Sequence, residues 1–414
     1  MKKTKRNTRE RNKKTMIVAL DEGKRTHYGY VRIPGLEEQP SIPFTANREG
    51  FEKFCAIIEK HKEENNVDVI QFGYESTGSY TLPLAYYMKE RGGVDLVQVN
   101  PKLVKRFKEA RDNSPGKTDK KDPKVIADIM SNDWTLSVIL PEGNAADLRR
   151  LTHDRETFIE NRNKSFSQIE GLLAFVFPEL SQTVNIRTKS VCRLLSEHTL
   201  PWDIVEQGKD SITELLHTSS RGQFKKPKIE AIFKAAEQTV GIRQGSERTA
   251  EQIRRLLDGC ERYNNHIKEI EQEIGQTLKK FGYAKHMLSI NGVGEVTCAI
   301  LIGETGGFEN FSTAKKVLKL AGLNLYEISS GEKKGNRRIS KRGRSLLRKA
   351  LYYAALNTTR KGGVFREKYE DYTSRGKKKP ALIMIARKLL VLIFALVRDG
   401  KDYDPGQNKT REAA

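Results

Sequence analysis

Residues 16–33, MIVALDEGKRTHYGYVRI, decide how the chain begins to fold. The apolar run Met16–Leu20 stops at Asp21, a short polar turn follows, and HYGYVRI resumes with β-rich composition; together they predict a hairpin. A third strand, IPFTA (42–46), comes next. A helical pattern over Glu49–Lys62, the apolar strand VDVIQFGYE (67–75), a helix at Leu82–Arg91 and the strand VDLVQVN (94–100) complete the series, and WTLSVILPE (134–142) offers one more strand. Three strands followed by alternating helix and strand predict a mixed α/β sheet.

Outward from this region the texture changes. Met1–Lys14 holds eight Lys or Arg, one Glu and no apolar residue after Met1, so it is expected to be a disordered basic arm, serving solubility or nucleic-acid contact. Residues 144–287 are almost entirely helix-forming. Within them Ile253, Leu256, Cys260, Tyr263, Ile267, Ile270, Ile274, Leu278 and Phe281 form an apolar seam that asks for a partner helix, in the same domain or as a coiled coil within or between chains. Residues 288–306, LSINGVGEVTCAILIGETG, place Gly292 and Gly294 ahead of a helical run. The turn reads as helix-hairpin-helix-like, its amides open to a phosphate, or as a tight interhelical connection. The expected divisions are a basic arm at 1–15, an α/β domain at 16–143, a helical domain at 144–287, a mainly helical domain at 288–400 and a polar tail at 401–414.

The 414 residues carry 75 Lys plus Arg against 53 Asp plus Glu, a net charge of +22. A polyanion is the natural partner. A membrane is not expected, because the most apolar stretch, Ala381–Val397, carries Arg387 and Lys388 at its middle and reads as a core helix. With no secretory segment behind the basic N-terminus, and with Cys55, Cys192, Cys260 and Cys298 isolated, a cytoplasmic location is expected and disulfides or zinc knuckles are not.

Two groups of residues carry chemistry. Asp21 and Glu75 end strands, and Asp119 and Asp122 stand three apart at a helix start, a spacing that sets two carboxylates on one helical face. Asp122 before Pro123 also reads as an ordinary helix start. Four carboxylates at one point need cations, and hard oxygen donors select Mg²⁺; a pair of ions would polarise a scissile phosphate and activate its attacker. The second group is YEISSGEKKGNRRISKRGRSLLRKAL (326–351). Ser329 and Ser330 sit beside Lys333, Lys334, Arg337, Arg338, Lys341, Arg342 and Arg344, cations that can hold a nucleic-acid backbone and offset charge on phosphoryl oxygens. By themselves the serines read equally as a turn beside a phosphate-binding patch. A helix from Ser340 to about Leu356 would bury Leu346, Leu347 and Leu351 and turn Arg344, Arg348 and Lys349 outward to the backbone. The histidines, His27 and His153 among them, fall at no metal-ligand spacing.

IVALDEGKRTHYGYV with Asp21, GYESTGSY with Glu75 and KTDKKDPKVIA with Asp119 and Asp122 together resemble the RuvC-like DEDD domain of insertion-sequence transposases described as bridge-RNA-guided serine recombinases. INGVGEVTCAILIGETGGFENFSTAKKVLKLAGL, SSGEKKGNRRISKRGRSLLRKAL and ALIMIARKLLVLIFALV resemble that family's second domain, so the likeness covers roughly residues 16–400. Pro123 stands where the family commonly has alanine. The resemblance implies an RNase H-like fold for the first domain, two Mg²⁺ held by the four acids, and attack on DNA by Ser330 or Ser329 to give a covalent phosphoserine. It also implies donor and target DNA and a structured guide RNA as partners, and a homodimer assembling to a tetramer. Two other functions use the same features: a RuvC-like junction nuclease with water as attacker, and a noncatalytic nucleic-acid scaffold.

Overall fold

The computed structural model describes residues 14–75, 80–112, 122–327, 337–376 and 378–406. They fall into two compact units, Met1–Leu140 and Pro141–Ala414. In the first, β1 (Thr15–Asp21), β2 (Thr26–Arg32), β3 (Ile42–Thr45), α1 (Arg48–Glu64), β4 (Val69–Glu75), α2 (Leu82–Arg91), β5 (Val94–Val99), α3 (Pro101–Asp112), α4 (Asp122–Ser131) and β6 (Leu136–Ser137) follow in order. The sheet runs β3-β2-β1-β4-β5-β6. β1, β4 and β5 are parallel, while β2, β3 and β6 are antiparallel to their neighbours. This mixed order fits the RNase H-like expectation, and the strand expected within 134–142 is confined to two residues.

Side-chain alternation along β1 sorts the unit into layers. Met16, Val18 and Leu20 join Phe51, Phe54, Leu84 and Met88 of α1 and α2. Ile17 and Ala19 join Val125, Ile126 and Ile129 of α4 and Val104 of α3. In β4, Ile70, Phe72 and Tyr74 belong to the first layer, whereas a Cβ on Gly73 would strike Met130 of α4. By the same alternation the odd-numbered ends, Asp21 and Glu75, belong to the α4 side of the sheet.

In the second unit α5 (Gly143–Val176) is followed by the short helices α6 (Leu180–Thr183), α7 (Lys189–Glu197), α8 (Pro201–Gln207), α9 (Lys209–Ser219) and α10 (Lys226–Glu237), then by α11 (Ser246–Leu278). The expected seam is buried at Ile253, Cys260, Ile267, Ile270, Ile274 and Leu278. Its partner is α5 of the same chain, which runs antiparallel to it. Arg155 pairs with Glu271 at 2.6 Å, Arg162 Nη1 donates to Asn264 Oδ1 at 2.7 Å, and Lys280 reaches Asn144 at 3.1 Å.

Beyond α11 come α12 (Ala284–Leu288), α13 (Glu295–Thr305), a 3-10 turn (Phe308–Asn310), α14 (Ala314–Leu320), β7 (Leu325–Tyr326), β8 (Arg338–Ile339), α15 (Ser345–Thr358), α16 (Arg366–Ser374) and α17 (Lys378–Asp399). No separate core begins at residue 288, where a boundary was expected: Ala145, Leu148, Ile270, Ile274 and Leu278 enter the same cluster as Leu301, Leu351, Ile385 and Leu389. α17 is long and apolar enough to cross a membrane by composition, but Ile385, Ala386, Leu389, Leu390 and Ile393 are packed into that core. Gly292 has φ +100°, and a Cβ there would lie 2.9 Å from the Thr358 backbone nitrogen. The turn therefore has an internal packing reason for its glycine, the tight connection between α12 and α13.

At the centre of this unit Glu304 of α13 is 1 % exposed. His153 Nε2 lies 2.6 Å from its carboxylate, Arg344 Nη1 lies at 3.3 Å and also donates to the Glu304 carbonyl, and Arg149 Nε is at 3.9 Å. Burial pushes the Glu304 carboxyl up, but His153, Arg344 and Arg149 outweigh it and hold the group below its ordinary value of 4.5. The folded pKa is depressed, so the stability it contributes is present above the ordinary value and lost as pH falls through the folded one. Glu304→Gln should cost about 2 kcal/mol in urea unfolding at pH 7, since it removes the buried acceptor that Arg344 and Arg149 are turned toward. The gap between variant and wild type should narrow as pH falls below the ordinary 4.5 and through the lower folded value.

Candidate functional site

β1 and β4 are parallel and in register through Leu20 and Tyr74, so Asp21 and Glu75 end adjacent strands, about 5 Å apart between chains, at one end of the sheet. Both are half-buried. The direction of α4 follows from its contacts. Lys124 Nζ lies over the Tyr30 ring, 5.4 Å from the centroid, and Asp128 meets Arg32 at 2.8 Å. α4 thus runs with β2 and against β1, and its N-terminus is directed toward the end where β1 and β4 finish. Asp122, at that terminus, is 5 % exposed and forms an ion pair with Lys108 of α3.

Asp119 lies outside the described residues. α4 begins at Asp122, with Pro123 second, so the shared helical face expected for Asp119 and Asp122 is not part of the described helix. Among the described residues no three His, Cys, Asp or Glu side chains gather closely enough to hold a metal ion. The donor chemistry nevertheless fits a hard divalent cation: carboxylates end β1 and β4 on the α4 side, and buried Asp122 already draws a positive charge to itself.

Two further residues at this end escaped sequence reasoning. Glu22, next to Asp21, accepts from the backbone nitrogen of Thr81 at 2.7 Å and from the Thr81 hydroxyl. Thr81 is buried directly ahead of α2, so this contact ties the end of β1 to the far side of the connection that follows Glu75. Lys108 is the other. Neither acid–hydroxyl pairs 59 residues apart nor a lysine in an amphipathic helix leaves a local signature.

In the second unit, Ser329, Ser330, Lys333 and Lys334 lie outside the described residues. What precedes and follows them is ordered: β7 and β8 pair antiparallel, Leu325 opposite Ile339 and Tyr326 opposite Arg338, and Arg337 Nε donates to Glu327 at 3.1 Å. Ser340 Oγ fastens the base through Asn324 Oδ1 at 2.5 Å. Arg337, Arg338, Lys341 and Arg342 are exposed.

Arg344 and Arg348 do not face outward as expected. Arg344 is spent on buried Glu304, and Arg348 Nη1 donates to the Ala321 carbonyl at 2.9 Å, where burial lowers its pKa. The cause is the late helix start. Lys341 at φ +53° and Gly343 at φ +155° keep the chain non-helical up to Arg344, and a Cβ on Gly343 would lie 2.2 Å from the Leu320 carbonyl. The positions that a helix from Ser340 would have exposed therefore turn toward α13 and α14. Lys349 is exposed as expected, and it pairs with Glu156. Gly294 stands ahead of α13 with open space around it, and the first helical residue there is acidic Glu295.

Residues 18–178 match a DEDD-type transposase family named for IS110, and residues 284–370 match the transposase IS116/IS110/IS902 family. Two separate stretches of the chain are thus similar to transposases of the IS110 type. Similar proteins span its length. A 43.6 kDa protein of insertion element IS110 from Streptomyces coelicolor is 26% identical over 94% of this chain and 95% of its own. A 44.8 kDa protein of insertion element IS116 from Streptomyces clavuligerus is 25% identical over 96% and 98%. A pilin gene-inverting protein of Moraxella bovis is 27% identical over 36% of this chain and 48% of its own. With likenesses of this kind along its length the chain is a DNA transposase of an insertion sequence, and the DEDD-type match points to dependence on divalent metal.

In this IS110-type transposase the Glu22–Thr81 contact holds both sides of the Glu75 strand end. Thr81→Val removes a buried hydroxyl donor to a carboxylate and should destabilise the first unit by about 2 kcal/mol in chemical denaturation. DNA binding by gel shift should be unchanged, and strand cleavage should fall.

Proposed function

We propose that this transposase joins donor and target DNA through a covalent phosphoserine, with Ser330 or Ser329 as nucleophile, and that a structured guide RNA pairs with both DNAs. The observation that supports the reading lies beside segment 328–336: the residues flanking it pair as β7 and β8, and Arg337, Arg338, Lys341 and Arg342, which follow it, are exposed. Such cations hold DNA backbone without reading bases, which suits a division of labour in which base pairing supplies sequence choice.

In the step itself the serine hydroxyl loses its proton and its oxygen bonds to phosphorus. The P–O bond to one DNA end breaks, and that oxygen leaves with a proton. Attack by a DNA hydroxyl on the phosphoserine reverses the sequence and reseals the strand without an external energy source. A relative named for gene inversion supports rejoining, because an inverted segment must be sealed at both ends. Asp21, Glu75, Asp119 and Asp122 would hold the divalent ions, two Mg²⁺ in this reading, and these would polarise the scissile phosphate. The exposed arginines neutralise charge at the phosphoryl oxygens. Recombining two duplexes needs at least two active chains, in a homodimer that assembles to a tetramer.

A nicked duplex that traps the intermediate tests this. Wild type with Mg²⁺ should yield a denaturant-resistant protein–DNA adduct. The double change Ser329→Ala with Ser330→Ala, and Asp21→Asn, should each abolish it while DNA is still bound. Cleavage that persists without both serines would leave water as the attacker and overturn the proposal in favour of a junction nuclease.

The basic residues should also separate by role. Arg342→Ala should weaken DNA binding at every sequence and lower the slope of log affinity against log salt by about one. Arg348→Ala should instead lower the unfolding midpoint with that slope unchanged.

A further inference from the structure

Asp122 is buried in its ion pair, yet the side chain that pairs with it is not. The Asp122 side chain is 8 % exposed and that of Lys108 is 34 % exposed, so the lysine reaches the carboxylate from the solvent side on a flexible four-carbon stem. It approaches from α3, whose Lys102, Lys105 and Arg106 are also exposed. Lys105 and Lys108 are three residues apart and share a helical face. A buried carboxylate without a positive partner is costly, which explains why an ammonium sits there.

We infer that Lys108 is a resident counter-ion which a divalent cation must displace from Asp122, and that a DNA phosphate receives the displaced ammonium, so that metal and DNA each favour the binding of the other. The inference rests on the reading of Asp122 as a metal ligand. A divalent ion and an ammonium on one carboxylate repel each other, so the free protein holds metal weakly. With DNA present the lysine keeps a negative partner after it leaves Asp122, and the penalty on the metal falls. The coupling is reciprocal for the two ligands. Lys108 in this account is a positioning residue: it keeps Asp122 neutralised until both ligands are present.

Mn²⁺ titrated into the full-length protein, followed by the electron paramagnetic resonance of free Mn²⁺, tests this with and without a duplex, the duplex alone serving as the blank. Without DNA, Lys108→Met should bind Mn²⁺ about tenfold more tightly than wild type. The duplex should tighten Mn²⁺ binding in wild type and have much less effect in Lys108→Met. Lys108→Arg, which keeps the charge, should retain the wild-type pattern, and a raised melting temperature of Lys108→Met on adding Mn²⁺ confirms that the variant is folded and loaded. Equal or weaker Mn²⁺ binding by Lys108→Met overturns the inference, as does a DNA effect of wild-type size in that variant. Asp122→Asn separates the two levels. Weakened Mn²⁺ binding there beside an unchanged Lys108→Met removes the inference alone, and an unchanged Asp122→Asn removes the metal reading with it.

Discussion

A carboxylate buried among cations governs the larger unit. Glu304 could not remain ionised inside a helical core without Arg149, His153 and Arg344 around it, because desolvation alone would favour its neutral form. The three partners come from α5 and from the residue ahead of α15, so satisfying one charge fixes α5 and the start of α15 against α13. Close backbone packing accompanies it: a Cβ on Gly303 would stand 2.7 Å from the Arg149 nitrogen.

The smaller unit solves a related problem in another way. Parallel pairing of β1 with β4 and the direction of α4 bring Asp21, Glu75 and Asp122 to one end of the sheet, where like charges oppose one another. There a single lysine on a flexible stem, Lys108, meets the buried acid, whereas at Glu304 two arginines and a histidine converge.

The sheet was legible because its signals are local. Apolar runs ending at Asp21 and Glu75, with helical periodicity between them, suffice to order strands and helices, and all the described strands of the first unit lie where the composition of the chain changes. The α11 seam was equally legible, but its partner was not. Spacing shows that Ile253–Leu278 must be covered without saying by what, and the answer, α5, lies a hundred residues upstream. Leu257 rather than Leu256 carries the deeper burial, a one-position shift that period counting alone does not resolve. Arg344 and Arg348 were misread for a physical reason. Charge density marks a nucleic-acid face only if the side chains are free to point outward, and a buried glutamate forty residues away is invisible to composition. Glu22–Thr81 and Lys108–Asp122 were missed for the same reason, being pairings made by topology. The acids themselves stood out because a carboxylate at the end of an apolar strand goes against strand propensity.

The β7–β8 ladder has one more implication. Because Tyr326 and Arg338 stand opposite each other, about 5 Å apart at their α-carbons, the chain is back by Arg338 beside its own position at Tyr326. Such an excursion adds little strain to its host whatever its length, since closure entropy grows only slowly with the number of residues. A change in the number of residues between β7 and β8 would therefore cost the ladder itself little.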